Sequence, residues 1–102
     1  MTSVLSKFTL KDKVAIITGC GQGIGKSMAL NFAQAGAHVV AAEINPATAE
    51  ATAAEVRKLG RKSLAVVTDV TDSSQVAKMV DAAVKQFGRI DILVNNAGVT
   101  LP

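Results

Sequence analysis

Short apolar runs alternate with longer helical patterns along the chain, and this alternation limits the possible folds more than any other feature. The strand-like runs cover residues 14–18, 38–43, 63–68 and 91–95. Each of the three stretches between them has helical periodicity and ends at a glycine, at positions 36, 60 and 88. The resulting order β-α-β-α-β-α-β predicts an α/β fold with a parallel sheet and right-handed crossovers.

Local signals place the helices within this order. Asn45 followed by Pro46 predicts the start of the second helix, and Asp72 begins a segment that resembles a capping box. In the first helix, Ile24 and Met28 begin an apolar i, i+4, i+8 repeat that predicts the buried stripe. The third helix is expected to place six apolar residues on one face: Val76, Met79, Val80, Ala83, Val84 and Phe87.

Composition excludes several classes of protein. With 102 residues, 49% of them hydrophobic, the chain fits one domain and is too apolar for disorder. No apolar run approaches the roughly 18 residues of a membrane span, and a single cysteine predicts a reducing, cytoplasmic location. The net charge is only +3, so the basic cluster between Arg57 and Lys62 is interpreted as a solvated helix end rather than a nucleic-acid surface.

The first strand runs directly into a glycine-rich loop that opens the first helix. Thr18, Gly19, Gly23 and Gly25 fit the pattern T-G-x-x-x-G-x-G, whereas G-x-G-x-x-G and P-loop spacings both fail. Glycine lets the main chain approach a phosphate closely, and a helix N-terminus favours the phosphate charge. The loop therefore predicts a phosphate site; the alternative is a purely structural glycine turn.

This loop, together with Asn95-Asn96-Ala97-Gly98 after the fourth strand, resembles the classical short-chain dehydrogenase/reductase family. The resemblance implies a Rossmann-type doubly wound parallel sheet, here truncated after the fourth strand. Residues 1–102 are then the N-terminal part of a single dinucleotide-binding domain. It also implies an NAD(P)-dependent oxidoreductase that interconverts an alcohol and a carbonyl of a small molecule by hydride transfer. The full-length enzyme is expected to be a homo-oligomer, with neither nucleic acid nor membrane as a partner.

The predicted cofactor site draws on the ends of all four strands. In a dinucleotide fold the acid that accepts from the adenosine ribose stands where Glu43 stands, and a carboxylate there disfavours the extra phosphate of NADP. NAD is therefore the expected cofactor, although a solvated glutamate is the alternative. The complete predicted set is Gly19, Gln22, Gly23, Ile24, Gly25, Glu43, Ile44, Asp69, Val70, Asn96, Ala97 and Gly98.

Three of these roles are implied by the resemblance alone. It places Asp69 and Val70 against the adenine and Asn96 beside a cofactor ribose, with Asn95 bracing neighbouring strands. The alternative for Asp69 is a local turn before Thr71. For the asparagines the alternative is a pair of amides that close a turn.

No catalytic or metal-binding residue is predicted in this chain. Cys20 and His38 have no partners at catalytic or metal-ligand spacing, so an inert thiol and a structural imidazole are expected. In the family that the chain resembles, a Ser, a Tyr and a Lys in the second half of the domain do the chemistry, and this chain contains no tyrosine. Alone it is expected to be inactive. A stand-alone nucleotide-binding module and a non-functional fragment remain as alternatives.

Overall fold

The computed structural model describes residues 9–21 and 23–96. The elements are β1 (Val14–Thr18), α1 (Gly23–Gln34), β2 (His38–Glu43), α2 (Pro46–Lys58), β3 (Ser63–Val67), α3 (Ser73–Phe87) and β4 (Ile92–Asn95). The four strands form one parallel sheet in the order β3-β2-β1-β4. The predicted Rossmann-type α/β arrangement is thus confirmed within the described residues.

Alternate residues of the inner strands face two separate apolar layers. On one face, Ile17 of β1 packs with Ala29 and Ala33 of α1 and with residues of α2. On the other face, Ile16 packs with Met79 of α3. Because β1 is fully buried on both faces, its sequence is a continuous β-branched and alanine run rather than an alternating one.

Capping residues fix the helix starts as the sequence predicts. The Asn45 side chain accepts from the backbone N–H groups of Ala47 and Thr48, and Pro46 occupies the first helical position. Asp72 accepts in the same way from Ser74 and Gln75. The capping box is not reciprocal, however, because the Gln75 side-chain oxygen accepts from Asp69 N–H and not from that of Asp72.

The predicted buried stripe of α1 is wrong by one position. The residues that the helix buries completely are Gly25, Ala29 and Ala33, whereas the Ile24 side chain is 73% exposed. Small residues allow α1 to lie close against the sheet, and the larger Met28 and Phe32 pack only at the edge of the core. Two strand limits are also shorter than predicted: β3 ends at Val67 and β4 begins at Ile92.

The apolar layer beside β4 is incompletely covered in the part of the chain described here. Leu93 of β4 is 62% exposed, and Val80 and Val84 of α3 are 38% and 45% exposed. A cavity of about 230 Å³ lies between α3 and β4, with Ile16 and Met79 in its lining. Two members of the apolar face predicted for α3, Val80 and Val84, thus remain exposed.

None of the helices in residues 9–21 and 23–96 is long and apolar enough to cross a membrane.

Candidate functional site

The carboxyl ends of β1, β2 and β3 meet around one cavity of about 250 Å³. Its lining consists of Gly19, Glu43, Ile44, Thr68, Asp69, Val70 and Thr71. Five of these seven residues belong to the set predicted from the sequence. The cavity is smaller than the roughly 300–1,000 Å³ of complete ligand pockets, so it has room for only one part of a dinucleotide.

The glycine loop begins at the edge of this cavity. Gly19 and Gly23 both have φ of +63°, in the left-handed region where a side chain is strained. Gly19 N–H donates to the Ala42 carbonyl of β2 at 3.0 Å, which ties the start of the loop to the neighbouring strand. Gly23 is the first residue of α1, so the loop leads straight into a helix N-terminus.

Gly25 is a point of close contact within the loop. A Cβ at this position would lie 2.1 Å from the Gly19 carbonyl oxygen and 2.8 Å from Asn96 Nδ2. The Asn96 amide itself donates to the same Gly19 oxygen at 3.2 Å. The first turn of α1, the start of the loop and the end of β4 therefore converge on a single carbonyl group.

Next to Gly19, the Thr18 side chain at the end of β1 is hydrogen-bonded to the end of β4. Its hydroxyl donates to Asn95 Oδ1 at 3.1 Å and accepts from Asn96 N–H at 2.9 Å. The bracing role that the resemblance implies for Asn95 is therefore shared by Asn96. Asn96 nevertheless stands at the loop, where the resemblance implies a cofactor contact.

Glu43 lies at the end of β2 with both carboxylate oxygens engaged. Oε2 accepts from Gly21 N–H of the glycine loop at 3.0 Å, and Oε1 accepts from Ile44 N–H at 2.9 Å. An ionised carboxylate has about four acceptor positions, so these two bonds fix its orientation and leave capacity for hydroxyl donors. The side chain is not a freely solvated glutamate.

Asp69 forms a local turn with Thr71, which was the alternative to a cofactor contact. It also lines the cavity. Its Oδ1 accepts from the hydroxyl and the N–H of Thr71, at 2.7 and 2.9 Å. These bonds, the hydroxyl first, lower the pKa of the Asp69 carboxyl. A carboxyl group with a lowered pKa, which is ionised at neutral pH, therefore belongs to the cavity lining.

Of the other predicted residues that the structure describes, Gly23, Ile24, Gly25 and Asn96 do not line this cavity. Ile24 projects from the first turn of α1 and does not line it. Gln22, Ala97 and Gly98 fall outside the described residues. Thr68 and Thr71 line the cavity but were not predicted; the only signal was their position on either side of the Asp69-Val70 pair.

Cys20 is the thiol of the glycine loop, and it is buried. Burial, followed by the charge of Glu43, raises its pKa to about 11. The thiol therefore stays protonated near neutral pH, in agreement with the expected inert role. Within residues 9–21 and 23–96, no group of three His, Cys, Asp or Glu side chains comes together at a possible metal site.

Comparison with known proteins identifies the family. The family model for short chain dehydrogenases matches residues 13–102, nearly the whole chain. The chain belongs to the short chain dehydrogenase family. The glycine loop, the cavity and the Asn95–Asn96 pair are thus features of a short chain dehydrogenase N-terminal region.

Individual relatives agree with this assignment. A short chain dehydrogenase/reductase from Aspergillus oryzae, astE, is 50% identical over 100 residues, which are 97% of this chain and 38% of the relative. The 7alpha-hydroxysteroid dehydrogenase of Escherichia coli is 45% identical over 89 residues, 87% of this chain and 35% of the relative. The chain therefore spans less than two-fifths of the length of these relatives.

A solved structure supports the fold directly. A 7alpha-hydroxysteroid dehydrogenase complexed with NADH and 7-oxo glycochenodeoxycholic acid superposes with a TM-score of 0.90 at 41% identity. The alignment covers all of this chain and 40% of that protein. The family thus includes a protein of the same local fold that binds a nicotinamide dinucleotide.

Proposed function

We propose that this chain is the adenosine- and phosphate-binding part of an NAD-dependent oxidoreductase, whose full-length form interconverts a small-molecule alcohol and carbonyl. Residues 1–102 are then the N-terminal part of a single dinucleotide-binding domain. The observation that carries the proposal is the cavity at the strand ends, where Gly19, Glu43 and Asp69 meet. Similarity to a structure complexed with NADH supports the same ligand class.

Each predicted contact has a chemical partner in the dinucleotide. The glycine loop and the N-terminus of α1 would hold the pyrophosphate, because N–H groups and the helix dipole favour negative charge there. Glu43 would accept from the hydroxyls of the adenosine ribose, and Ile44, Asp69 and Val70 would surround the adenine. Asn96 would contact a cofactor ribose, and the small residues Ala97 and Gly98 would let the backbone approach the cofactor.

Glu43 is proposed to favour NAD over NADP. Its carboxylate is fixed at the end of β2 by two backbone donors, so it cannot swing away from a 2′-phosphate without losing them. Repulsion of one such charge contact is worth about 1–3 kcal/mol, or roughly 5- to 150-fold in affinity.

The hydride-transfer chemistry requires residues that this chain does not contain. Bound NAD supplies the hydride acceptor, and a residue outside this chain moves the substrate proton. Substrate recognition and the expected homo-oligomer contacts also belong to the full-length protein, which we place in the cytoplasm.

Turnover by the full-length protein that contains this chain tests the proposal. The protein is assayed with NAD and NADP on hydroxysteroids, sugars and β-hydroxyacyl thioesters, and in the reverse direction with NADH and the matching ketones. We expect turnover of at least one class, with a higher kcat/KM for NAD. NADH binding without turnover on any class would favour a binding module, and a preference for NADP would overturn the role of Glu43.

A further inference from the structure

Gly21 lies between the Glu43 carboxylate and the Thr48 side chain, at the junction of the glycine loop with the start of α2. A Cβ at Gly21 would lie 2.9 Å from Glu43 Oε2 and 2.6 Å from Thr48 Oγ1. The φ of Gly21 is not in the left-handed region, where Gly19 and Gly23 are found. Glycine is therefore needed here for space and not for its conformational freedom.

We propose that Gly21 is a specificity-determining position for the dinucleotide, acting through Glu43; this inference rests on the proposed function. Because Gly21 has no side chain, the Glu43 carboxylate can approach the loop and accept from Gly21 N–H at 3.0 Å. That bond and the one from Ile44 N–H hold one carboxylate oxygen each. Gly21 thus positions the charge that the proposed function uses to discriminate against a 2′-phosphate.

A side chain at position 21 would displace Glu43 more readily than Thr48. Thr48 belongs to the first turn of α2, where its N–H and hydroxyl both donate to Asn45 at 3.3 and 3.1 Å. The following residues Ala49 and Thr52 are fully buried, so the helix start has little freedom to move. The Glu43 carboxylate is the far end of a flexible side chain, and rotation out of the loop relieves its contact.

Displacement of the carboxylate affects the two cofactors in opposite directions. NADH loses a fixed acceptor for its ribose hydroxyls, and NADPH loses part of the repulsion of its 2′-phosphate. The ratio Kd(NADPH)/Kd(NADH) therefore falls. A purely structural defect in the loop would weaken both cofactors by a similar factor, because they share the pyrophosphate.

The test measures the Kd of NADH and of NADPH by nicotinamide fluorescence in the full-length protein that contains this chain. The proteins are the wild type, Gly21→Ala, Thr48→Gly, the double variant Gly21→Ala/Thr48→Gly, and Glu43→Gln. We expect Gly21→Ala to lower the ratio Kd(NADPH)/Kd(NADH) at least about fivefold, as for loss of one charge-assisted hydrogen bond. Thr48→Gly alone should leave the ratio unchanged, and the double variant should recover part of it.

The outcomes separate this inference from the proposed function. If Glu43→Gln lowers the ratio and Gly21→Ala leaves it at the wild-type value, the role of Gly21 is overturned and that of Glu43 stands. If Glu43→Gln does not change the ratio, the role of Glu43 in the proposed function is itself contradicted. If Gly21→Ala does not fold, as shown by the lack of a cooperative melt, the double variant is compared with Thr48→Gly instead. Equal values of Kd(NADPH)/Kd(NADH) in those two proteins would overturn the inference.

Discussion

At the scale of single residues, the candidate site depends on glycines, because a Cβ atom at some of its positions would collide with neighbouring groups. Gly25 has no room for a Cβ, which would lie 2.1 Å from the Gly19 carbonyl oxygen. Gly19 itself has φ of +63°. Its carbonyl oxygen also accepts a hydrogen bond from the Asn96 side-chain amide. Any side chain at either position must therefore move the loop that the dinucleotide would contact.

We expect Gly25→Ala and Gly19→Val each to weaken NADH binding by the full-length protein at least about tenfold, because a steric conflict at such a site costs more than about 1.4 kcal/mol. Titration of NADH fluorescence measures the effect. Gly60→Ala is the matched control, since Gly60 also has a positive φ but has nothing within 4 Å of its Cβ position. Wild-type affinity in both loop variants would mean that the loop is not the phosphate site.

Much of the site was accessible from the sequence because strand ends have a fixed place in a parallel sheet. Gly19, Glu43 and Asp69 each directly follow or end an apolar run, so topology alone brings them together. Thr71 was missed because it reaches the site through the turn that it forms with Asp69. The proposed role of Gly21 could not be predicted, because its neighbour Thr48 is distant in sequence and belongs to no motif.

At the scale of secondary structure, capping residues and glycines made the helix limits predictable, whereas packing made the buried face of α1 unpredictable. Asn45 and Asp72 cap their helices as expected, and Gly88 ends α3 in the left-handed conformation. Hydrophobicity favoured Ile24 for the core of α1, but close approach to the sheet selects Ala29 and Ala33 instead. Side-chain size at a helix–sheet contact is not visible in a periodic pattern.

Asp91, just before β4, is hydrogen-bonded to the first residue of β1. This contact predicts a pH dependence of the folding stability. Asp91 accepts from Val14 N–H at 2.9 Å and pairs with Arg89 at 2.6 Å. The hydrogen bond from Arg89, followed by that from Val14 N–H, lowers the pKa of the Asp91 carboxyl. A lowered folded-state pKa means that the stabilisation is present above the unfolded pKa of about 3.9 and is lost as the pH falls through the folded value.

We therefore expect Asp91→Asn to lower the melting temperature of the full-length protein more at pH 7 than at pH 3. Asparagine keeps the size of the side chain and an acceptor for Val14 N–H, so the variant isolates the charge. Thermal melts of both proteins at both pH values provide the measurement. An equal decrease at pH 7 and pH 3 would show that the Asp91 charge contributes nothing to folding.

At the scale of the whole molecule, residues 9–21 and 23–96 leave apolar surface and a strand edge uncovered among themselves. Leu93 and Val80 are exposed in the lining of the cavity between α3 and β4, and Val84 of α3 is exposed as well. Strand β4 is an edge of the sheet in the described residues. Such an edge pairs readily with other chains. Expressed alone, the chain is expected to aggregate, to be marginally stable and to show no oxidoreductase activity, since it has no tyrosine.

Size-exclusion chromatography and thermal melts of the isolated chain, with and without NAD, check that expectation. We expect aggregated material and no sharp transition. A clean monomer with a cooperative melt that NAD raises by several degrees would instead favour a stand-alone nucleotide-binding module.

The central claim is that the strand ends form a site for NAD in which Glu43 opposes a 2′-phosphate. Direct titration of the full-length protein with NADH and with NADPH tests it without knowledge of the substrate. The account predicts that NADH binds more tightly, by roughly 5- to 150-fold for one opposed charge contact. Equal affinities, tighter binding of NADPH, or no binding of either dinucleotide would contradict it.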